Sequence, residues 1–476
     1  MLFNTYTYAV FLPLVFLLYL ALPLRGRQAM LLAASYVFYC WETPVYGALL
    51  LISTVLDYSC GLIMARCVNR PARRIVLLAS ICGNLGLLGF FKYGDFFAGN
   101  VAGLGRLLGF DTHWAPMGFI LPVGISFYTF QTMSYTIQLY RRQIEPCRDL
   151  LSFALFVSFF PQLVAGPIER ASHLLPQLRV YHHIKLNDLA VGGTRIVFGL
   201  FRKIVLADRF SIIVDRVFAN PEDFPAFTVW IGVLAFWGQI YFDFAGYADI
   251  AIGSARLFGI RLTENFRRPL LASSIADFWA RWHITLTSWL RDYLFNPMGG
   301  FRKGAVRTVV HGVVVLVLCG LWHGAAWHFV LWGAYEALLL VGYYAWKGLR
   351  RKLLGRRTAR KDNMRVLVGS VALVFACNSL AAVFFRAPDM TVTRRMFRCM
   401  FGGHEAAGLE IEWISWIYVA MLIAWLVIEF MQEYMGLNDR IRRLPWWLRA
   451  LGMGLLIGFI AITATNLTAP YIYFQF

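Results

Sequence analysis

The chain has 476 residues, 59% of them hydrophobic and 15% charged, whereas a soluble domain is about 45–50% apolar and about 25% charged. That balance excludes an ordinary soluble fold. A net charge of +19 would suggest nucleic acid in a soluble protein, but here Lys and Arg cluster between apolar segments, the pattern of cytoplasmic loops. Nucleic-acid binding is excluded in favour of membrane topology and contact with anionic lipid.

Apolar stretches at residues 8–24, 75–88, 227–252, 366–385 and 413–430 approach or reach the roughly 20 residues needed to span a bilayer. The expected fold is all-α and polytopic, with about ten to twelve transmembrane or re-entrant helices in one integral domain. That domain covers residues 1–476, with no internal repeat and no soluble module. The start, Met1-Leu2-Phe3-Asn4, has no basic region, and Pro23-Leu24-Arg25 ends the first apolar run without a small-residue cleavage site. It reads as a retained helix rather than a signal peptide.

The basic clusters set the topology. Arg25 and Arg27 place the N-terminus outside, and Arg66 to Arg74 and Arg141-Arg142 mark returns to the inside. Residues 151–168 are one pass long but broken by Pro161 and Gly166-Pro167, with basic flanks on both ends. A re-entrant segment fits better than a span, because irregular backbone at depth must be buried in protein or line a cavity. Residues 350–361 and 440–449 should be cytoplasmic, while Arg394, Arg395 and Arg398 fall outside and break the pattern. The eight cysteines show no metal spacing, so no metal site is expected.

In the span at 227–252, Gln239, Asp243 and Gly246 share one face. A carboxylate at that depth wants a cationic or hydroxyl partner, and Arg281 or Arg291 could supply it. An interhelical tether is the alternative to a functional role. Residues 277–294 predict one amphipathic helix, capped by Ser274 and stopped at Asn296-Pro297. Its aromatic arc runs from Phe278 to Tyr293. A polar stripe carries Asp277, Arg281, Thr285, Ser288 and Asp292, and a second row carries His283, Thr287 and Arg291. Such a helix either lies on the inner leaflet or lines an entrance for a charged cytosolic substrate.

Residues 309–346 have basic flanks on both sides and must turn round, and Trp322-His323-Gly324-Ala325-Ala326 is the break. The 13 steps from Val309 to Trp322 make about 20 Å of helix, against a core of about 30 Å. His323 therefore sits past the midplane. A histidine there can stay neutral yet exchange protons near neutral pH. His328 reads as structural, and no Ser-His-Asp elbow, phosphate loop or dinucleotide fingerprint is present.

Several segments together resemble the membrane-bound O-acyltransferase (MBOAT) family, in the bacterial branch that contains the alginate O-acetylation membrane protein. They are 119–130 (FILPVGISFYTF), 160–167 (FPQLVAGP), 241–253 (YFDFAGYADIAIG), 265–269 (NFRRP), 278–293 (FWARWHITLTSWLRDY), 320–325 (GLWHGA) and 471–476 (YIYFQF). The resemblance runs in order along the whole chain. It implies a ring of helices around a thin centre with a funnel from each face, in a bacterial inner membrane. It implies that His323 is the catalytic histidine, that His283 belongs to the second histidine motif, and that Trp322 sits in the motif beside the substrate. No permanently bound cofactor is implied. The donor would be acetyl-CoA or another acyl thioester, with Arg281, Arg291, Asp243 and Asp292 on the substrate side. The acceptor would be an extracytoplasmic polysaccharide, with a periplasmic SGNH-type acetyltransferase as partner. D-alanyl transfer, or acylation of a lipid or protein, would stay within the family. A glycan or lipid transporter with a histidine proton relay is the reading from a different class.

Overall fold

The computed structural model describes residues 1–118, 122–354, 364–405, 413–464 and 471–472. The first three residues of the 119–130 segment, residues 355–361 of the basic stretch and residues 473–476 of the last motif lie outside the described residues. Every regular element among the described residues is a helix. Eight are long and apolar enough to cross a membrane, and Tyr6–Ala21 is a shorter apolar one. The chain clusters into two compact units, residues 1–198 with 247–263, and residues 199–246 with 264–476.

The first unit holds α1 (Tyr6–Ala21), α2 (Leu24–Cys40), α3 (Val45–Arg66), α4 (Arg70–Leu88), α5 (Ile125–Tyr140) and α6 (Leu150–Ser158). Its centre is a polar knot. Ser80 Oγ and Asn84 Nδ2 donate to the buried Asp57 carboxylate at 2.5 and 2.8 Å, and Ser80 Oγ also reaches Thr136 at 2.9 Å. These bonds satisfy groups that would be costly unpaired at depth. The segment expected to be re-entrant is a broken helix. After α6 the chain bends at Phe159 and resumes for one turn at Phe160–Leu163. Ser35 Oγ accepts from the Phe160 amide at 3.0 Å, and the Gln131 and Gln162 amides donate to Phe156 O. The irregular backbone is buried inside protein, as its position requires.

The second unit holds the N-terminal part of α7 (Ala226–Leu257), then α8 (Ile275–Arg281), α9 (Ile284–Leu290), α10 (Ala305–His323), α11 (Trp327–Leu354), α12 (Met364–Arg386) and α13 (Trp413–Tyr434). The arginine cluster that broke the topology lies on Met390–Met400, an amphipathic helix of 11 residues, too short to span. Arg395 is held there by a bidentate pair with Glu222, an inter-helix contact.

The break expected at residues 322–326 is present. α10 ends at His323, and α11 starts at Trp327 and runs back along it. Two glycines let the hairpin close. A Cβ on Gly320 would sit 2.2 Å from Phe329 O, and one on Gly333 would sit 2.3 Å from Leu316 O. Gly324 has extended backbone, and a Cβ there would strike the Phe329 ring at 2.0 Å. Gly342, farther along α11, has open space at the same test. Gly320→Ala should therefore cost about 1–3 kcal/mol through overpacking and lower the thermal midpoint of the purified protein. Gly342→Ala should leave that midpoint unchanged or raise it, by the ordinary helix preference for alanine. Equal midpoints for the two variants would show that the crossing tolerates a methyl group.

Candidate functional site

Because α10 stops at His323, its imidazole lies at the end of the hairpin rather than along a lipid-facing surface. The residue is 4% exposed. Aromatic rings surround it: Trp322 at 4.9 Å between centroids, and Trp332 and Phe385 at 5.0 Å each. It borders a narrow cavity of about 20 Å³, walled by Phe236, Trp237, Trp282 and Trp332, with Glu336 as the other polar contributor. That space holds roughly one water. An imidazole in such a setting meets a polar reactant with bulk water excluded.

His283 departs from the expectation. Residues 277–294 do not form one continuous amphipathic helix. α8 ends at Arg281, Trp282 is extended, and His283 takes a left-handed backbone (φ 41°, ψ 55°) before α9 begins. The helical wheel built across this break therefore does not apply, and His283 is fully buried instead of lying on a polar face. The cause is Asn265. Its side-chain oxygen accepts from His283 Nδ1 at 3.1 Å, from the Thr285 amide at 3.3 Å and from Thr285 Oγ1 at 2.9 Å. Its backbone carbonyl accepts from the Ile284 amide at 2.9 Å, and the Arg267 amide donates to Arg281 O at 3.0 Å. These bonds replace those a continuous helix would make. They also place the ring hydrogen on Nδ1 and the lone pair on Nε2.

The two histidines meet one indole. Trp322 lies 4.9 Å from the His323 ring and 6.1 Å from the His283 ring. Phe244 stands edge-on to His283 at 4.7 Å.

The expected partners of Asp243 are corrected. Neither Arg281 nor Arg291 reaches it. Lys203 Nζ does, at 2.7 Å, while also contacting Asp208 at 2.8 Å, and the Ile472 amide donates to Asp243 Oδ2 at 2.6 Å. The shared face of Asp243 and Gly246 explains this. A Cβ on Gly246 would lie 2.8 Å from Gly199 O and 3.1 Å from the Lys203 amide, so glycine lets that segment close in. Burial works against the Lys203 ammonium, but Asp243 and Asp208 more than offset it and hold the group above its ordinary range. Arg281 bonds Asp277 at 2.8 Å and Glu433 at 3.0 Å, and Glu433 also pairs with Arg268. Arg291 is 60% exposed and pairs with its neighbour Asp292 at 2.9 Å.

Sequence reasoning missed Lys203, Asn265, Glu336 and Glu433. Asn265 lay within a quoted motif without a role. The others are ordinary polar residues in apolar or mixed runs, and only their three-dimensional neighbours single them out. Among the described residues, no group of three potential ligands could hold a metal ion.

Burial pushes the His283 imidazole down from 6.5 to about 3. The unfolded chain thus binds a proton that the folded chain refuses, so stability is full above about pH 6.5 and drains as pH falls toward 3. His283→Asn keeps a residue type that tolerates left-handed backbone and removes the titrating ring. Thermal midpoints read between pH 7 and pH 4.5 should fall more steeply in the wild type than in this variant. Parallel curves would contradict a buried neutral imidazole.

Residues 135–383 match the family model described as MBOAT, membrane-bound O-acyltransferase family. A probable alginate O-acetylase of Pseudomonas putida is 34% identical across 98% of each chain. A peptidoglycan O-acetyltransferase of Helicobacter pylori is 33% identical over 84% of this chain and 80% of its own. A teichoic acid D-alanyltransferase of Bacillus subtilis is 28% identical over 48% of this chain and 61% of its own. The helices long enough to span, the buried polar groups at depth and these likenesses converge, and the chain belongs to the membrane-bound O-acyltransferase family as a multi-pass bacterial membrane acyltransferase.

Proposed function

We propose that this protein takes an acetyl group from a cytosolic acyl thioester, acetyl-CoA in the simplest case, and passes it across the membrane for O-acetylation of an extracytoplasmic polysaccharide. The observation that carries this reading is His323, a buried imidazole at the end of a hairpin with an aromatic-walled cavity against it. The relatives named for alginate and peptidoglycan O-acetylation match most of the chain, which favours a glycan hydroxyl as acceptor. The teichoic acid D-alanyltransferase matches only about half of it, so D-alanyl transfer is the second reading.

His323 acts as the base. It takes the proton from the acceptor hydroxyl as the oxygen attacks the thioester carbonyl, the C–O bond forms, and the C–S bond breaks with its electron pair leaving on sulfur. An acyl relay through the same imidazole would serve equally where the acetyl group leaves for a periplasmic SGNH-type partner. His283, neutral and fixed by Asn265, is a positioning residue that acts through Trp322. Arg291 is the exposed charge of this motif, paired with the half-buried Asp292, and would meet the donor phosphates. Arg281 acts indirectly, tying α8 to Glu433 on α13. Asp243 holds Lys203 and the Ile472 backbone and so braces the second unit. The donor substrate is consumed, and the chemistry needs no bound cofactor.

The test is His323→Ala in purified full-length protein, with thermal midpoint and expression matched to wild type. Acetyl transfer from acetyl-CoA to an alginate oligosaccharide should fall about 10²–10⁴-fold, the usual contribution of a general base. Transfer within a fewfold of wild type would overturn the role given to His323. A preference for a D-alanyl thioester over an acetyl thioester would move the protein to the second reading.

A further inference from the structure

The His323 cavity has a second titratable wall. Among the described residues that line it, His323 and Glu336 are the two groups able to exchange a proton. Glu336 lies on α11, one helical turn beyond Trp332, so both side chains project from the same face. It is 1% exposed. The Trp279 indole is its polar neighbour, and its Oε2 atom is buried without a hydrogen-bond partner among the described residues. Buried polar atoms are satisfied in most proteins, so an unsatisfied one on a residue that lines this cavity needs a reason. Among the described residues, no lysine or arginine lines the cavity. A lone carboxylate among rings would be costly, and a carboxyl group carrying its proton is the form that fits. The space is about 20 Å³, and His323 and Glu336 both line it.

We propose that Glu336 is the general acid of the transfer, giving its proton to the departing sulfur. This rests on the reading of His323 as base toward a thioester donor. The hydroxyl oxygen attacks the carbonyl carbon, and its proton goes to the His323 imidazole. The C–S bond breaks, its electron pair stays on sulfur, and the Glu336 carboxyl proton forms the new S–H bond. The imidazolium then returns its proton to the Glu336 carboxylate. One proton has moved from oxygen to sulfur, an ester and a thiol have formed, and both side chains are back in their starting states. A base and an acid on one cavity divide the work that a single histidine would otherwise do in sequence.

The chemistry singles out one experiment. A leaving alkyl thiolate is more basic than an aryl thiolate, so its departure gains more from a proton donor. Purified full-length wild type, Glu336→Gln and His323→Ala are compared on acetyl-CoA and on the acetyl thioester of thiophenol. An alginate oligosaccharide is the acceptor, and thiol release and acetyl ester are both measured. Gln keeps the shape and the acceptor oxygen facing Trp279 but has no acidic proton. E336Q should lose about 10²-fold or more in kcat with acetyl-CoA and less than about tenfold with the aryl thioester. H323A should lose heavily on both. Equal losses for E336Q on the two donors, or none on either, overturn the proposal while leaving the role of His323 intact. An active H323A overturns that earlier reading instead. Should E336Q fail to accumulate, Glu336→Asp keeps an acid farther from the cavity. A kcat loss confined to acetyl-CoA supports the assignment, and a loss shared by both donors refutes it.

Discussion

The Asn265 side chain makes three hydrogen bonds that hold His283 in a left-handed backbone, and the aromatic architecture of the second unit follows from that bend. Without it, the segment would wind on as one helix, and its tryptophans and histidine would follow helical spacing. With it, Trp282 turns into a cluster with Trp237 at 5.7 Å, Phe278 at 5.7 Å and Phe266 at 5.1 Å, and forms part of the cavity wall at His323. His283 is carried to Phe244 and Trp322. A non-glycine residue in this conformation costs of order 1 kcal/mol or more and persists only where its surroundings over-determine it. Here the surroundings include Asn265 and the rings of Phe244, Trp322 and Phe266.

The charges follow a related logic. Lys203, Asp208 and Asp243 are nearly inaccessible, as are the polar partners of Asp57 in the first unit. Buried ion pairs offset their desolvation only when geometry is good and the remaining atoms are bonded, and removing one partner is strongly destabilising. The Ile472 amide completes Asp243, which ties a short C-terminal stretch to the middle of the chain. Arg281 and Glu433 do the same for α8 and α13. Most buried charge in this unit is thus committed to holding helices in place. His323 and Glu336 are buried too, and they line the narrow cavity where α10 ends.

Much of this was legible in the sequence. The hairpin turn at 322–326 followed from two basic flanks and a helix length. The broken segment at 151–168 followed from two prolines and a glycine between basic ends. The face shared by Asp243 and Gly246 was right, because helical periodicity is local. The partner of Asp243 was wrong, because Lys203 approaches from a π-helical turn at Phe201–Ala207 and no pattern links the two positions. The helix across His283 was wrong for the same kind of reason. Propensity and amphipathic spacing favoured continuation, and a tertiary set of hydrogen bonds from residue 265 won. Glu336 carried no signal in the sequence, since a single acidic residue within a mixed helix gains meaning only from the cavity that it lines.

On the proposed function, acyl transfer takes place at the aromatic-walled cavity where α10 ends. A structure of the full-length protein with a thioether analogue of acetyl-CoA, which cannot release its acyl group, tests this most directly. The account predicts the analogue's carbonyl within hydrogen-bonding reach of the His323 imidazole and its sulfur toward Glu336. An analogue bound with its carbonyl away from this cavity, beyond the reach of His323, would contradict it.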